Sequence, residues 1–259
     1  MNVRRGGEQG TPLVFVHGWA MSGAVWQKQF DHFGGTHRVF AVDLPGHGLS
    51  APLEGPITIR RCGEELARFL DEEKLEGAVL IGWSLGAQVA CHAALLNPAR
   101  VAKLALVSGT PCFTAPSKDD RWGVPAAKSK WFARQMRADF ENVLRGFILT
   151  FFAGGEAISP EEEAVIKELF FVHAPDRASA LALLDDLHVS DIREELRRIA
   201  VPSLIVHGRD DRIIPVEVTG VWSGFLAPRA NIVLIPGCGH APFLTRPELF
   251  NRVLETFLE

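Results

Sequence analysis

The sequence has few cysteines, no strong excess of charge of either sign and no long hydrophobic run. Its cysteines are scattered and form no C-x-x-C pair; they are Cys62, Cys91, Cys112 and Cys238. Such spacing favours reduced thiols over a disulfide framework or a zinc site. The formal net charge is only −4, which predicts no whole-protein affinity for nucleic acid or for an anionic membrane.

Two further absences bear on the cellular location of the protein. No apolar run is long enough to span a bilayer, and the N-terminal stretch MNVRRGGEQG lacks the apolar core of a signal peptide. Together with the scattered cysteines, these absences predict a cytoplasmic protein with no membrane partner. The 259 residues, of which 47% are hydrophobic, are enough for a large single α/β domain or for a domain with an insertion.

Short apolar runs alternate with helical patterns through most of the chain. The runs are 13–16, 39–42, 78–81, 103–107, 203–206 and 232–235. Continuous apolar runs of this length are typical of strands buried on both faces, as in a parallel sheet. Helical patterns lie between them at 59–75 and 85–96, and a last one closes the chain at 247–258. The alternation predicts a doubly wound α/β fold.

The alternation stops at about residue 111 and resumes after residue 186. Within this block, apolar side chains recur every three or four residues, as in a helix. They are Phe132, Met136, Phe140, Val143 and Phe147. Breaks at Gly154-Gly155 and Ser159-Pro160 divide the block into at least two helical hairpins. We therefore predict a helical cap, 111–186, inserted into an α/β core formed by 1–110 and 187–259.

The motif Gly82-x-Ser84-x-Gly86 lies where a predicted strand gives way to a predicted helix. This position fits a nucleophile elbow, a strained turn that raises the serine hydroxyl above the sheet. The flanking glycines leave room for the close backbone approach that the turn requires. The helix beginning at Leu85 directs free N–H groups towards the same point. The alternative is an ordinary glycine-rich turn, which the strand before and the helix after make less favoured.

A serine hydroxyl needs a base to activate it, and the base needs an acid to orient it. In this motif the chain order is serine, acid and then histidine. The turn GRDDRIIP follows a predicted strand and offers Asp210 and Asp211, between which the residues alone do not decide. The loop PGCGHAPF follows the last predicted strand and offers His240 as the base. His207 directly follows strand residues, and we interpret it as structural.

The loop His17-Gly18-Trp19-Ala20 follows the first predicted apolar run. Such a loop can supply a backbone N–H that, beside that of Leu85, holds the oxyanion of an acyl-transfer intermediate. The backbone N–H of Trp19 is our candidate, and we expect His17 to brace the loop. The later turn DLPGHGLS is interpreted as structural.

Taken in order, HGWA, DLPGHGLS, GWSLG, HGRDDRIIP and GCGHAPF resemble the α/β-hydrolase superfamily. The resemblance covers 12–109 and 201–258, and it implies a mostly parallel central sheet flanked by helices, with a variable cap. It favours Asp211 over Asp210 as the acid. A serine at position 84 argues against dehalogenases and epoxide hydrolases, which use aspartate there. The segment before His17 is short, so we expect the leading hairpin of the superfamily to be trimmed.

A narrower resemblance rests on Trp19 in HGW, Trp83 in GWSLG, the segment SGTPCF, and HAPF followed by RPE. These residues resemble the pimeloyl-[acyl-carrier protein] methyl ester esterase family of biotin synthesis. Members of that family remove a methyl group from a pimeloyl chain still attached to its carrier protein. The resemblance implies Ser84 as nucleophile, Asp211 as acid, His240 as base, Trp19 and Leu85 as oxyanion donors, and Trp83 as a wall of the acyl slot.

A basic segment of the predicted cap is a candidate contact for a carrier protein. Lys130, Arg134 and Arg137 are spaced four and three apart, so they share one helix face. Such a face would steer an acidic carrier protein towards the cap. An equally supported alternative is the solvated face of an amphipathic helix. Glu156 and the acidic run 161–163 would repel an acidic partner if they share that surface.

Aromatic residues of the cap are expected to divide between core packing and a lipophilic channel. They are Phe113, Trp122, Trp131, Phe147, Phe151 and Phe152. Among them, Phe147 is our candidate for substrate binding. The sequence does not show which of the others face the channel.

The leading hypothesis is a serine esterase that requires no metal or organic cofactor. A broad-specificity carboxylesterase, a lactonase or a carbon–carbon bond hydrolase of the same superfamily would use the same three residues. A third hypothesis is a non-catalytic receptor that keeps the pocket for ligand binding. The complete set of Ser84, Asp211 and His240 argues against this third reading.

Overall fold

The computed structural model of the chain describes residues 1–152, 164, 168, 173–226 and 228–259. The strands of this part are β1 (Asn2–Gly6), β2 (Pro12–Val16), β3 (Arg38–Asp43), β4 (Ala78–Trp83), β5 (Val101–Val107), β6 (Ser203–Gly208) and β7 (Ala230–Ile235). Its α-helices are α1 (Gln27–Phe33), α2 (Ile59–Glu72), α3 (Leu85–Leu96), α4 (Ala126–Ala138), α5 (Phe140–Leu149), α6 (Arg177–Val189), α7 (Arg193–Leu196), α8 (Val218–Leu226), α9 (Pro242–Thr245) and α10 (Pro247–Leu258).

The strands described above form one sheet in the order β1-β3-β2-β4-β5-β6-β7. Strand β1 is antiparallel to β3, and the remaining neighbours are parallel. Every residue of β2, β4 and β6 is buried, because helices cover both faces of a parallel sheet. The predicted α/β architecture with a mostly parallel sheet is confirmed.

Strand β1 was not predicted from the apolar pattern. Its sequence, NVRRG, contains no apolar run, and Arg4 and Arg5 are exposed at the edge of the sheet. The backbone of β1 pairs with β3 from Asn2 opposite Asp43 to Gly6 opposite Val39. Among the described residues, β1 is the strand that precedes β2.

Helix α3 follows the central strand β4 after one residue and is buried along almost its whole length. It ends at Leu96, where Asn97-Pro98 stops it, as a proline requires. Because the strands from β2 to β7 run parallel, their carboxyl ends meet at one edge of the sheet. The loops that carry the candidate site residues all leave the sheet at that edge.

Helices α4, α5 and α6 lie between β5 and α7 along the chain, and we propose that they belong to the predicted cap. Of the apolar period predicted for this segment, Met136 and Phe140 are buried, and the other members are partly buried. Leu144 and Ile148, which the predicted period did not include, are buried as well. Helix α6 continues to Val189, beyond the predicted boundary at residue 186. We propose that the boundary of the cap lies where Cys112 forms an isolated β-bridge with Asp191.

Some expectations for the cap lie outside the described residues. They concern the breaks at Gly154-Gly155 and Ser159-Pro160 and the acidic residues Glu156 and 161–163. Among the helices of the described ranges, none is both long and apolar enough to cross a membrane. In those ranges no group of three or more His, Cys, Asp or Glu side chains could hold a metal ion.

All four cysteines are buried and unpaired with one another. Burial raises the pKa of Cys62 to about 12 and that of Cys112 to about 11. Such thiols stay protonated at neutral pH, so they behave as small apolar core residues and not as nucleophiles.

Candidate active site

Ser84 lies on a strained turn between β4 and α3. Its backbone has φ 55° and ψ −119°, a conformation that side-chain-bearing residues rarely adopt. A Cβ on Gly82 would lie 2.3 Å from the carbonyl oxygen of Gly86, and a Cβ on Gly86 would lie 2.5 Å from that of His17. Only glycine fits at both positions, so the G-x-S-x-G pattern is a packing requirement of the turn. The Ser84 N–H donates to Val107 across 2.8 Å and holds the turn against β5.

His240 and Asp211 are joined directly. Nδ1 of His240 lies 2.7 Å from Oδ2 of Asp211, and both side chains are buried. The other carboxylate oxygen of Asp211 accepts the backbone N–H groups of Ile213 and Ile214 at 2.8 and 3.0 Å. Asp210 is exposed. The structure therefore places Asp211, and not Asp210, beside the histidine.

The environment of Asp211 keeps its carboxyl ionised. Burial alone would raise the pKa of Asp211, but the charge of His240 and the hydrogen bond from His207 outweigh burial, so the pKa lies below its ordinary value. An ionised carboxylate only accepts hydrogen bonds, so Nδ1 of His240 carries the proton in this pair. Nε2 of His240 is then left to accept a proton from a hydroxyl group.

His207 also contacts Asp211. Its Nε2 lies 3.0 Å from the carbonyl oxygen of Ile214 and 3.3 Å from Oδ2 of Asp211, and the ring is fully buried. The sequence indicated a structural role because His207 ends a strand, but it gave no sign of this contact. The contact depends on the turn after β6 folding back by four residues.

The loops that carry Asp211 and His240 pack against each other at Gly208. A Cβ at this position would lie 2.0 Å from the carbonyl oxygen of Gly239 and 2.4 Å from that of Cys238. The Asp210 N–H also donates to the Cys238 carbonyl across 3.0 Å. The close approach of the two loops sets the short distance between His240 and Asp211.

Ser84 and His240 line the same cavity. Among the described residues, no hydrogen bond joins the Ser84 hydroxyl to the histidine ring. In unliganded enzymes such bonds are often long and tighten when substrate binds. The arrangement can pass a proton from a serine hydroxyl to an imidazole that a buried carboxylate orients.

The predicted oxyanion donors flank Ser84. A Cβ on Gly18 would lie 3.2 Å from Cβ of Ser84, so the loop before Trp19 packs directly on the serine. Within the part of the chain that the structure describes, the backbone N–H groups of Trp19 and Leu85 donate to no partner. The indole Nε1 of Trp19 donates to the Ala180 carbonyl across 2.7 Å, which ties this loop to α6.

His17 braces the same loop. Its Nδ1 donates to the Gly18 carbonyl across 2.7 Å, and its Nε2 accepts the Leu44 N–H across 2.9 Å. Complete burial lowers the pKa of His17 to about 3, so the ring is neutral and can donate and accept at once. The DLPGHGLS turn is held by Asp43, whose carboxylate accepts the N–H groups of Gly23 and Leu49 at 2.7 and 2.9 Å.

The cavity above Ser84 has a volume of about 600 Å³ and a mostly apolar wall. Phe147 lines it and meets the ring of Trp19 edge-on, with the ring centroids 5.7 Å apart. Phe113, Trp131, Phe151 and Phe152 also line it. Trp122 does not; its indole donates to Asp120 across 3.1 Å, and the guanidinium of Arg193 lies over its ring. The fold, and not the sequence, shows which of these aromatic residues line the cavity.

Trp83 lines the cavity, as the resemblance implied, but it also makes a contact that the sequence did not predict. Its side chain is buried, and its indole Nε1 donates to the carbonyl oxygen of His240 across 2.8 Å. The two residues are 157 positions apart in the chain. No local pattern signals a bond over that separation.

The three cations predicted to share a face of α4 are all exposed but differ in their partners. Lys130 and Arg134 are exposed and form no ion pair among the described residues. Arg137, in contrast, donates to the Asp185 carboxylate of α6 across 2.6 Å. Because α6 packs beside α4, Asp185 balances the charge of Arg137, and the role of all three cations as carrier contacts stays a prediction.

A family model described as the alpha/beta hydrolase fold matches residues 11–247. The chain belongs to the α/β-hydrolase family. Among solved structures, it is similar to an esterase from Exiguobacterium antarcticum and to a bromoperoxidase from Bacillus anthracis. Each has a TM-score of 0.89 and 25% sequence identity, and each match covers 99% of this chain and 94% of the other.

Curated relatives of the chain belong to a narrower group within this family. The pimeloyl-[acyl-carrier protein] methyl ester esterase of Nitrosomonas europaea is 36% identical over 245 residues, which is 93% of each chain. The enzyme of the same name from Vibrio cholerae is 35% identical over 250 residues, covering 96% of this chain and 94% of that one. The resemblance predicted from the sequence motifs is confirmed.

Proposed function

We propose that this chain is a serine carboxylesterase that removes the methyl group from a pimeloyl chain bound to acyl carrier protein. The observation that carries the proposal is the hydrogen bond between His240 and the buried Asp211, in a cavity that also holds Ser84 on a strained turn. The curated relatives, whose name states this reaction, supply the substrate.

In the proposed acylation step, Nε2 of His240 takes the proton of the Ser84 hydroxyl while the serine oxygen attacks the ester carbonyl. Negative charge builds on the carbonyl oxygen, where the backbone N–H groups of Trp19 and Leu85 stabilise it. The C–O bond to the methoxy group then breaks, and His240 returns the proton so that methanol leaves.

In the proposed deacylation step, water attacks the acyl-serine while His240 again takes a proton. The bond between the acyl carbon and the Ser84 oxygen breaks, His240 returns its proton to that oxygen, and the free acid is released with Ser84 regenerated. Asp211 keeps the imidazole oriented and stabilises its charged form in both steps. No step calls for a metal ion or an organic cofactor.

The cavity wall supports an ester with an apolar chain. Aromatic and aliphatic side chains surround the approach to Ser84, so a neutral methyl ester fits there better than a free carboxylate. The lysine and arginine side chains among the residues of its wall are Lys128 and Arg212. Both would favour an anionic group, such as the phosphate of a carrier-bound prosthetic arm, over a neutral tail.

Helix α4 supports docking of the carrier beside the cavity. Its Lys128 and Trp131 line the cavity, and Trp131 is 61% exposed, so the wall at this helix reaches the surface. The same helix presents Lys130 and Arg134 to solvent without ion pairs among the described residues. An acidic carrier bound at these two cations would lie next to the opening of the cavity.

The test compares methanol release from methyl pimeloyl-carrier protein with methanol release from free dimethyl pimelate. We expect a higher kcat/KM for the carrier-bound ester. Replacing Lys130→Glu together with Arg134→Glu should raise KM for that ester by about 10-fold and leave the free ester unaffected. Arg252→Glu, a charge reversal at an exposed position of the last helix, is the matched control.

Each contrary result has a distinct meaning. Equal or better turnover of free esters would favour the broad carboxylesterase or lactonase. A double variant that handles the carrier-bound ester like the wild type would remove the docking proposal and leave the hydrolysis intact. Binding of the carrier-bound ester without any methanol release would support the non-catalytic receptor.

A further inference from the structure

The backbone of His240 makes two hydrogen bonds that hold its loop in place. The His240 carbonyl oxygen accepts the indole N–H of Trp83 across 2.8 Å. The His240 backbone N–H donates to the carbonyl oxygen of Phe151 across 2.7 Å. Trp83 belongs to β4 and Phe151 to the cap, so the peptide groups of His240 are bonded to both parts of the protein.

These bonds matter because the loop has little stiffness of its own. The residues before His240 read PGCG, and Gly237 has a φ of 62°. Glycine-rich backbone samples many conformations unless contacts fix it. The aromatic surroundings of His240 are tight as well, since the ring centroids of Trp83 and Phe151 lie 5.6 and 5.4 Å from that of His240.

Trp83 has a special place among these contacts because it immediately precedes Ser84. Its indole is buried, and it packs edge-on against Phe243 and Phe151 with centroid distances of 5.0 and 5.4 Å. A single rigid side chain therefore connects the residue before the nucleophile to the peptide of the base. Since the ring has only two rotatable bonds and is packed on several sides, it sets the spacing between the two.

We propose that Trp83 is a positioning residue for the general base, acting through the hydrogen bond from its indole N–H to the His240 carbonyl. The proposal rests on the proposed roles of Ser84 and His240. A buried carbonyl that loses its donor is left unsatisfied, and a flexible loop can shift to find another partner. A displacement of about 1 Å in a catalytic group can cost about 100-fold in rate.

This role differs from that of a simple wall of the acyl slot. A wall contributes to substrate binding, so its loss raises KM or alters the preference for acyl chains. A positioning residue acts on the proton transfer, so its loss lowers kcat and also slows every other reaction of the activated serine. Phosphonylation of Ser84 by a small fluorophosphonate reports that activation with little use of the acyl slot.

The test uses the full-length protein with p-nitrophenyl acetate and a fluorophosphonate. Trp83→Phe keeps an aromatic wall and removes the N–H. We expect kcat and the phosphonylation rate to fall together by about 10- to 100-fold, with little change in KM. A second variant carries benzothienylalanine at position 83, which keeps the shape of the indole but has sulfur in place of the N–H, and should show the same loss.

Trp26→Phe is the matched control. The indole of Trp26 is also buried, but its Nε1 has no hydrogen-bond partner among the described residues. The same change of side chain therefore breaks no hydrogen bond, and activity should stay at the wild-type level. Thermal unfolding of each variant checks that the fold is retained.

Unchanged kcat and labelling in the benzothienylalanine variant, or a change in KM alone, would overturn the inference. If Trp83→Phe fails to fold, the benzothienylalanine variant decides. A wild-type protein that neither hydrolyses the ester nor reacts with the probe would instead contradict the proposed function. The two failures are thus distinguishable.

Discussion

At the scale of single residues, the site depends on places where a side chain is forbidden as much as on the side chains themselves. Gly82 and Gly86 permit the turn at Ser84, and Gly208 permits the contact between the loops of Asp211 and His240. At Gly208 the obstruction is backbone, which cannot rotate away as a side chain can. The identity of these glycines is therefore tied to the geometry of the site.

Gly208→Ala should lower both stability and activity. The added methyl group would lie 2.0 Å from the Gly239 carbonyl oxygen, so the two loops must separate. We expect a loss of about 1–3 kcal/mol in the free energy of unfolding, measured by urea denaturation, and a fall in kcat as His240 moves from Asp211. Gly220→Ala in α8, where a Cβ meets nothing within 4 Å, should stabilise the protein by about 0.5–1 kcal/mol. Equal effects of the two changes would contradict this view of Gly208.

The sequence allowed Ser84 and His240 to be singled out because each lies in a local motif at the end of a strand. It could not separate Asp210 from Asp211 by residue type, since both lie on one turn and only the direction of the backbone decides which side chain faces inwards. The bond from Trp83 could not be predicted because it joins residues 157 positions apart in the chain. The contact of His207 with Asp211 depends on how the turn after β6 folds back, which the residue types do not show.

At the scale of elements, one side chain of α3 bonds to both connections between the cap and the core. Gln88 is fully buried one turn after Ser84. Its Nε2 donates to the carbonyl of Thr110, where the cap leaves the core, across 2.8 Å. Its Oε1 accepts the hydroxyl of Ser190, where the cap returns, across 2.6 Å. Both connections of the cap therefore meet at the helix that begins beside the nucleophile.

Gln88→Leu should loosen this attachment. The change introduces an apolar side chain of similar size and leaves the buried Thr110 carbonyl and the partly buried Ser190 hydroxyl without these hydrogen bonds, at a cost of about 1–3 kcal/mol. Hydrogen exchange followed by mass spectrometry should show faster exchange in 110–112 and 190–192. Ser190→Ala removes only one of the two bonds and should have a smaller effect. Unchanged exchange in both segments would show that Gln88 does not hold the cap.

The elements that sequence patterns located well are those with a continuous apolar run or a strong helical period. Helices α3 and α10 begin and end where the sequence placed them. Strand β1 has neither signal, because it lies at an edge and carries arginines. The pairing of Arg137 with Asp185 depends on two cap helices lying side by side, which spacing along one helix cannot reveal.

At the scale of the whole molecule, buried histidines link stability to pH. Burial lowers the pKa of the buried His17, His47 and His92, and partial burial lowers that of His37 and His188. The folded protein thus resists protonation at these rings, whereas the unfolded chain binds protons below a pH of about 6.5. Acid therefore favours the unfolded state well before the carboxylates titrate.

The free energy of unfolding should fall as the pH drops from about 6.5 to about 4.5. For His17, whose pKa is lowered to about 3, the loss approaches about 1.4 kcal/mol per pH unit. Its ring centroid lies 5.5 Å from that of His47, so charging both rings would add repulsion. Urea denaturation at pH 7.5, 5.5 and 4.5 measures the effect. A free energy that stays level or rises over this range would contradict it.

The central claim for the whole molecule is that Ser84 is a nucleophile activated by His240 and Asp211. The most direct measurement is mass spectrometry of the protein and its peptides after reaction with a fluorophosphonate, alongside ester hydrolysis. We predict one adduct, located on Ser84, that is absent in Ser84→Ala, and a loss of kcat/KM of about 10⁴-fold or more in that variant. An adduct on another residue, or wild-type hydrolysis by Ser84→Ala, would contradict the claim.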